Sequence, residues 1–240
     1  MWRKPAGDGQ TLPPGLVERW KAEQAELRAK MVVAPLPDVP RYVAGADAAF
    51  VNPGDGPEGG AGRVVACALV YDRVERRAVE VAHAVRPLEV PYVPTFLSFR
   101  EGPAVAEAIR KLTHPFGVVC FDGQGYAHPR RCGLAVHLGV TLDVPAIGCG
   151  KSRLIGTYDE LGDQPGDTSA LMHAGEQVGL VLRTKVRTNP VFVSVGHRVD
   201  LPSAVRVLQA CLTKYRIPEP TRLADIEVAK VKKRVLAGVA

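Results

Sequence analysis

Asp47 stands in Val43-Ala44-Gly45-Ala46-Asp47-Ala48-Ala49-Phe50, where every other residue is apolar or small. A carboxylate there loses its hydration unless something compensates it. Backbone N–H groups could satisfy it, but Asp is disfavoured inside strands and function is the usual exception. A metal ligand on a central strand is therefore the reading. Asp122 ends the apolar run Val118-Val119-Cys120-Phe121 and opens into Gly123-Gln124-Gly125. Acids at the carboxyl end of a buried strand often serve active sites, although Asp also starts ordinary turns. Glu101 and Asp225 each fall near a helix start, where a carboxylate also answers the helix dipole. Taken singly, only Asp47 is compelling. Together the four acids follow an order: first strand, first helix after the meander, end of the fourth strand, last helix. Carboxylates converging on one point repel each other. Divalent cations remove that repulsion, and Mg²⁺ prefers hard oxygen ligands. Such a cluster suits in-line attack of water on a phosphodiester.

Other chemistries are excluded. Gly148-Cys149-Gly150-Lys151-Ser152 looks like the end of a P-loop, but Pro145 stands where that motif needs Gly. Gly123-Gln124-Gly125-Tyr126-Ala127-His128 lacks the third Gly of a dinucleotide fingerprint. Neither Gly-x-Ser-x-Gly nor His-Glu-x-x-His occurs, and the 6 histidines are widely spread. The 5 cysteines are irregularly spaced without Cys-x-x-Cys, which reads as reduced thiols in a cytoplasmic protein.

The elements that must position the acids are legible from periodicity. Leu16, Trp20, Leu27 and Met31 share one face of a helix, between Pro13-Pro14 and Pro35. Strands are expected over 42–51, 63–72 and 78–86, joined by a Gly- and Pro-rich loop over 52–62 and a charged turn over 73–77. Short connections of this kind favour an antiparallel meander. Further on, a helix is expected over 101–112, a buried strand over 116–121 and a short helix over 132–138. A strand at 144–147, a late hairpin of 177–183 with 191–195, and helices over 203–212 and 220–236 complete the pattern. The fold class is α/β: a mixed central sheet, an antiparallel meander plus parallel strands, flanked by helices. At 240 residues, with 46% hydrophobic and 23% charged, the chain suits one globular domain, residues 1–240. Residues 1–40 form a helical extension packed on it. Lys and Arg total 31 against 25 acids, a net +6 that leans mildly toward polyanions. No apolar run reaches the length of a membrane span, and Met1 to Asp8 lacks the apolar stretch of a signal peptide.

Several motifs together resemble the endonuclease V family of deoxyinosine 3′ endonucleases. They are Val43 to Asp47, Pro91-Tyr92-Val93-Pro94-Thr95-Phe96-Leu97-Ser98-Phe99-Arg100-Glu101-Gly102-Pro103, Phe121 to Arg131, Gly150 to Leu154, Val195-Gly196-His197 and Glu219 to Asp225. The resemblance runs from Tyr42 to the C-terminus. It implies an RNase H-like fold, Mg²⁺ dependence with Mn²⁺ as a substitute, and a role in DNA repair. The reaction implied is hydrolysis of a phosphodiester on the 3′ side of deoxyinosine, one nucleotide past the lesion. It puts the metal-binding acids on Asp47, Glu101 and Asp122, with Asp225 at a more variable position. The lysine near the scissile phosphate falls on Lys151. A wedge falls on Pro91 to Pro94, with Tyr92 entering the duplex. The lesion pocket falls on Leu97, Gly123, Gly125, His128, Gly133 and Leu134. Thr95 departs from relatives that have Gly beside the wedge. The implied partner is DNA containing deoxyinosine, or inosine-containing RNA, bound by a monomer with no membrane association. The alternatives are an inosine-specific endoribonuclease of the same fold and a catalytically silent nucleic-acid-binding protein.

Physical chemistry suits these roles. A ring held between two prolines has little freedom to lose on inserting into a stack. Glycines let a backbone approach a flipped base closely. Hypoxanthine offers an acceptor where adenine offers a donor, so a backbone N–H facing that position discriminates between them. Arg130, Arg131, Lys151 and Arg153 would line the phosphates, and Lys230, Lys232, Lys233 and Arg234 make a basic end to the last helix.

Overall fold

The structure, a computed structural model, describes residues 12–55 and 61–239. The start of the expected extension and the middle of the expected loop over 52–62 lie outside the described residues. One eight-stranded mixed sheet organises the rest. β1 (Tyr42–Val51), β2 (Arg63–Asp72) and β3 (Arg77–Pro87) form the antiparallel meander. β4 (Val118–Phe121) pairs parallel with β1, and β5 (Ala146–Gly150) pairs parallel with β4. β6 (Thr168–His173), β7 (Glu176–Leu182) and β8 (Val191–His197) close the order β3-β2-β1-β4-β5-β8-β7-β6.

Side chains alternate across β1, and each face is buried under helices. Ala44 and Ala46 join Phe121 beneath α2 (Leu97–Arg110) and α3 (Leu134–Leu142). Val43 joins Cys120, Ile147 and Leu208 on the other face, under α4 (Leu201–Ala210) and α5 (Glu219–Leu236). Gly45 is required there. A Cβ at Gly45 would lie 2.1 Å from the carbonyl oxygen of Pro220, so only glycine lets the start of α5 rest on β1. Outside these layers, α1 (Leu16–Lys30) stacks Trp20 on Phe99, with ring centroids 5.0 Å apart. All five cysteines are free and buried.

Several boundaries move. α2 begins at Leu97, not near Glu101, which places Glu101 in its second turn. Pro103, a residue that suits a first helical turn, lies inside the helix. α3 runs to Leu142 instead of ending near 138, and β5 sits two residues later than expected. The hairpin of β7 with β8 forms, yet β6 was not expected at all. β6 lies on the sheet edge and is only partly buried, so it carries little hydrophobic alternation. Its turn to β7 uses Ala174 and Gly175, at φ of 56° and 78°. Both central residues are left-handed, as in a type I′ turn, but Ala-Gly lacks the Asn-Gly signature.

Candidate active site

β1, β4 and β5 are neighbouring parallel strands, and β4 ends opposite the middle of β1. Ala46 pairs with Phe121, and the N–H of Asp122 donates to the Ala46 carbonyl at 3.3 Å. The ladder therefore sets Asp47 beside Asp122. Lys151 follows β5 directly and reaches back: its Nζ lies 2.5 Å from Asp122 Oδ2 and 3.8 Å from Asp225 Oδ1. Asp225, in the second turn of α5, comes over the site because α5 rests on Gly45. Glu101 is buried at 6% exposure and feels the charges of Asp47 and Asp122.

These fields shift every inner acid upward. Burial raises Glu101 well above the usual carboxylate range, and the charges of Asp47 and Asp122 add to it against Arg100. Asp47 is pushed up to about 8 by burial and then by Asp122, with Lys151 and the Ala48 N–H opposing. Burial raises Asp122 as well, against the pull of Lys151. For Lys151, burial works downward, but Asp122, Asp47 and Asp225 outweigh it and hold the ammonium protonated. Four carboxyl groups meet the Lys151 ammonium and Arg100, so the inner acids resist ionising together, the pattern that marks functional clusters. Among the described residues, no three Asp, Glu, His or Cys side chains are posed as a closed metal cage. The donor set still fits a hard divalent cation: carboxylate oxygens only, under-compensated, with an ammonium already drawn among them.

Two side chains that the sequence did not single out hold the Lys151 segment. Arg216 donates to the carbonyls of Lys151 at 2.5 Å and Asn189 at 2.7 Å. Gln124 donates to the carbonyl of Ser152 at 2.9 Å. No sequence signal marks Arg216. Gln124 is signalled only by its place between Gly123 and Gly125.

The second group of expected residues lies around the glycine turn after β4. Pro91 and Tyr92 are half-buried, Pro94 is exposed, and Leu97 is the first residue of α2. Leu134 begins α3 and lies 3.3 Å from where a Gly123 Cβ would be. The N–H groups of Gly123, Gly125 and Gly133 already donate to Phe121, Ser194 and Gly125 respectively. His128 is buried, with Nε2 at 3.0 Å from the Thr95 carbonyl. Arg130 and Arg131, expected along the phosphates, are bonded to partners within the chain. Arg130 bonds Gln24 and Thr95, and Arg131 bonds Glu176, His128 and His173. Arg153 stays exposed, with its guanidinium 5.9 Å from the Tyr158 ring centroid. Gln24 had a legible signal. It continues the Leu16–Trp20 stripe at four-residue spacing, a polar residue on an apolar face, and it is fully buried.

Residues 25–226 match the sequence profile of Endonuclease V. An endonuclease V of Trichormus variabilis is 44% identical over 213 residues, covering 88% of this chain and 93% of the relative. The crystal structure of an endonuclease V from Streptomyces avermitilis superposes with a TM-score of 0.85 at 39% identity, covering 95% of this chain and 97% of that one. An endonuclease V of Ciona intestinalis, solved with a DNA containing an inosine followed by a ribo-adenosine, gives a TM-score of 0.77 at 28% identity, covering 93% of this chain and 100% of that one. The fold is thus RNase H-like, as these relatives are. With its sequence matched over most of its length and Asp47, Asp122 and Lys151 brought together across β1, β4 and β5, this chain belongs to the endonuclease V family of nucleases.

Proposed function

We propose that this chain is a Mg²⁺-dependent repair endonuclease that recognises deoxyinosine in DNA. It hydrolyses a phosphodiester on the 3′ side, one nucleotide past the lesion, and accepts Mn²⁺ in place of Mg²⁺. The observation that carries this reading is the group of raised acids, Asp47, Glu101 and Asp122, around a single ammonium. Those three would hold the metal, with Asp225 at the exposed rim as a peripheral ligand or water-orienting group. A bound divalent cation would activate the attacking water and stabilise the attacking and leaving oxygens. Lys151, held by Asp122 and by the clamps on its backbone, places a point charge for the scissile phosphate. Tyr92, between Pro91 and Pro94, fills the gap that a flipped base leaves. Leu97, Gly123, Gly125, His128, Gly133 and Leu134 would wall the base. The glycine N–H groups are already spent, so the glycines serve by keeping the wall thin. We read residues 1–240 as one nuclease domain, with 1–40 packed on it, that acts as a monomer. A catalytically silent binding protein would have no use for this charge cluster.

The inosine-specific endoribonuclease is a second reading, favoured by the ribo-adenosine after the inosine in the Ciona intestinalis complexes. Matched oligonucleotides carrying inosine in DNA or in RNA, with Mg²⁺ present or chelated, decide between them. The expected result is a metal-dependent nick in DNA, abolished in Asp122→Asn while inosine-DNA binding persists. Nicking at the unmutated rate by Asp122→Asn, or by the unmutated chain in excess chelator, overturns the metal-site reading. Faster cleavage of RNA selects the second substrate.

A further inference from the structure

Thr95 closes a turn that threonine rarely occupies. The N–H of Phe96 donates to the Val93 carbonyl at 3.0 Å, with Pro94 and Thr95 between them, and Thr95 has φ of 69°. Pro second and a left-handed residue third define a type II turn, where Gly or Asn is the usual third residue. A β-branched residue in that region is strained. Something must hold it there, and the surrounding bonds are dense. The Thr95 carbonyl receives Arg130 at 2.8 Å, His128 Nε2 at 3.0 Å and Gln24 Nε2 at 3.3 Å. Arg130 also donates to the Thr95 hydroxyl at 2.7 Å. The backbone N–H of Arg130 donates to His128 Nδ1 at 3.3 Å, which leaves the imidazole proton on Nε2, facing Thr95. Gln24 completes the set. Its Oε1 accepts from Arg130 Nε at 2.5 Å, and its Nε2 donates to the Cys132 carbonyl at 3.0 Å. The Arg130 guanidinium lies 4.1 Å from the centroid of the Phe96 ring, inside the same turn.

We propose that Thr95 is a latch. Gln24 on α1, with Arg130 and His128, are positioning residues that fix the turn behind Tyr92 and so set the posture of the wedge loop. The proposal rests on the wedge reading of Tyr92. It makes α1 a working part of lesion opening in duplex nucleic acid. The bonds reach the turn from two places, α1 and the loop before α3, and their shared target is one strained residue. A relaxed residue at this position would need no such hold, whereas this threonine supplies a hydroxyl for the hold to grip.

The test uses the full chain in excess chelator, with inosine-containing duplex DNA carrying 2-aminopurine beside the lesion. The fluorescence rise on binding reports the opened stack without nicking. Single-turnover cleavage of duplex and single-stranded inosine DNA, with Mg²⁺ restored, gives a second ratio. Thr95→Val keeps the shape and loses the hydroxyl; Gln24→Met keeps the length and loses the amide. Each should lower the fluorescence rise and the duplex-to-single-strand ratio by about fivefold, the worth of one net hydrogen bond. Thr95→Gly relaxes the turn and should fall less than Thr95→Val. Tyr92→Ala is the control. A lowered ratio in Tyr92→Ala with unmutated ratios in Thr95→Val and Gln24→Met overturns the latch alone. An unchanged ratio in Tyr92→Ala overturns the wedge reading and, with it, the latch. Equal losses on duplex and single strand in the Thr95 and Gln24 variants mark a general packing role and also overturn the latch. Should Gln24→Met fail to fold, the ranking of Thr95→Val against Thr95→Gly decides.

Discussion

His137 meets the Phe99 ring edge-on at 4.9 Å, and its Nδ1 finds no hydrogen-bond partner among the described residues. Burial alone pulls its pKa down to about 4. An unfolded chain binds that proton near pH 6.5, so between about pH 6.5 and 4 the unfolded state holds more protons and stability falls as pH falls. Asp47, raised to about 8, works in the opposite direction over the range between its unfolded and folded values. Total stability therefore mixes both, and a difference isolates the histidine. His137→Gln should lose stability less steeply than the unmutated chain as pH drops through that window, with a closing difference of about 3 kcal/mol. Urea unfolding from pH 7.5 to 4 checks it, and parallel curves would remove the assignment. Single residues also show what a sequence discloses. Asp47 was legible because a strand interior repels carboxylates. Lys151 was legible only through the family and Arg216 not at all, since most lysines and arginines are simply solvated. Only distance gives them partners.

Elements hold their positions by close approach as much as by hydrophobic pattern. Gly45→Ala would press a methyl group onto the Pro220 carbonyl, and that neighbour is backbone, which cannot rotate away. α5 must then lift, taking Asp225 with it. We expect a loss of at least about 2 kcal/mol in stability, from overpacking. Nicking should slow along with it, measured by urea unfolding and single-turnover rates on one preparation. Wild-type values for both would mean that α5 docks elsewhere. The same contact explains what periodicity could reveal. Burial on both faces of β1 appears as a small and apolar run interrupted only by Asp47, so the strand was legible. The need for Gly at residue 45 comes from a helix 175 residues later and leaves no local mark. β6 was hidden for the opposite reason: an edge strand has less to bury, so its pattern is faint.

At the scale of the molecule, a modest net charge of +6 conceals how unevenly the cations are committed. Arg131 is 8% exposed and spent on Glu176, His128 and His173, whereas Arg153 is open to solvent beside Lys151. Counting basic residues near the site in the sequence treats the two alike. Their effects on salt dependence should differ. Arg153→Ala should reduce the slope of log binding constant against log salt by about one, the signature of a lost phosphate contact. Arg131→Ala should leave the slope unchanged and lower the unfolding midpoint. Anisotropy titrations with inosine DNA at several KCl concentrations separate them, and equal slope losses would return Arg131 to the phosphate surface. The sheet itself was readable as a meander followed by strand–helix alternation. The convergence of Asp47, Asp122 and Asp225 on Lys151 was not, because it depends on the parallel register of β1, β4 and β5.

The five buried thiols divide the molecule into zones that can be timed. Cys67 lies under α5; Cys120, Cys149 and Cys211 lie in the layer beneath α4 and α5; Cys132 lies where Gln24 of α1 grips its carbonyl. Burial pushes Cys67, Cys132, Cys149 and Cys211 up to about 12, so almost no thiolate exists in the folded chain at neutral pH. Each sulfur is mute until the layer above it lifts, and then an alkylating reagent records the moment. The chain thereby carries its own clocks, and the order in which they start would tell whether α1 parts from the nuclease core before α5 does.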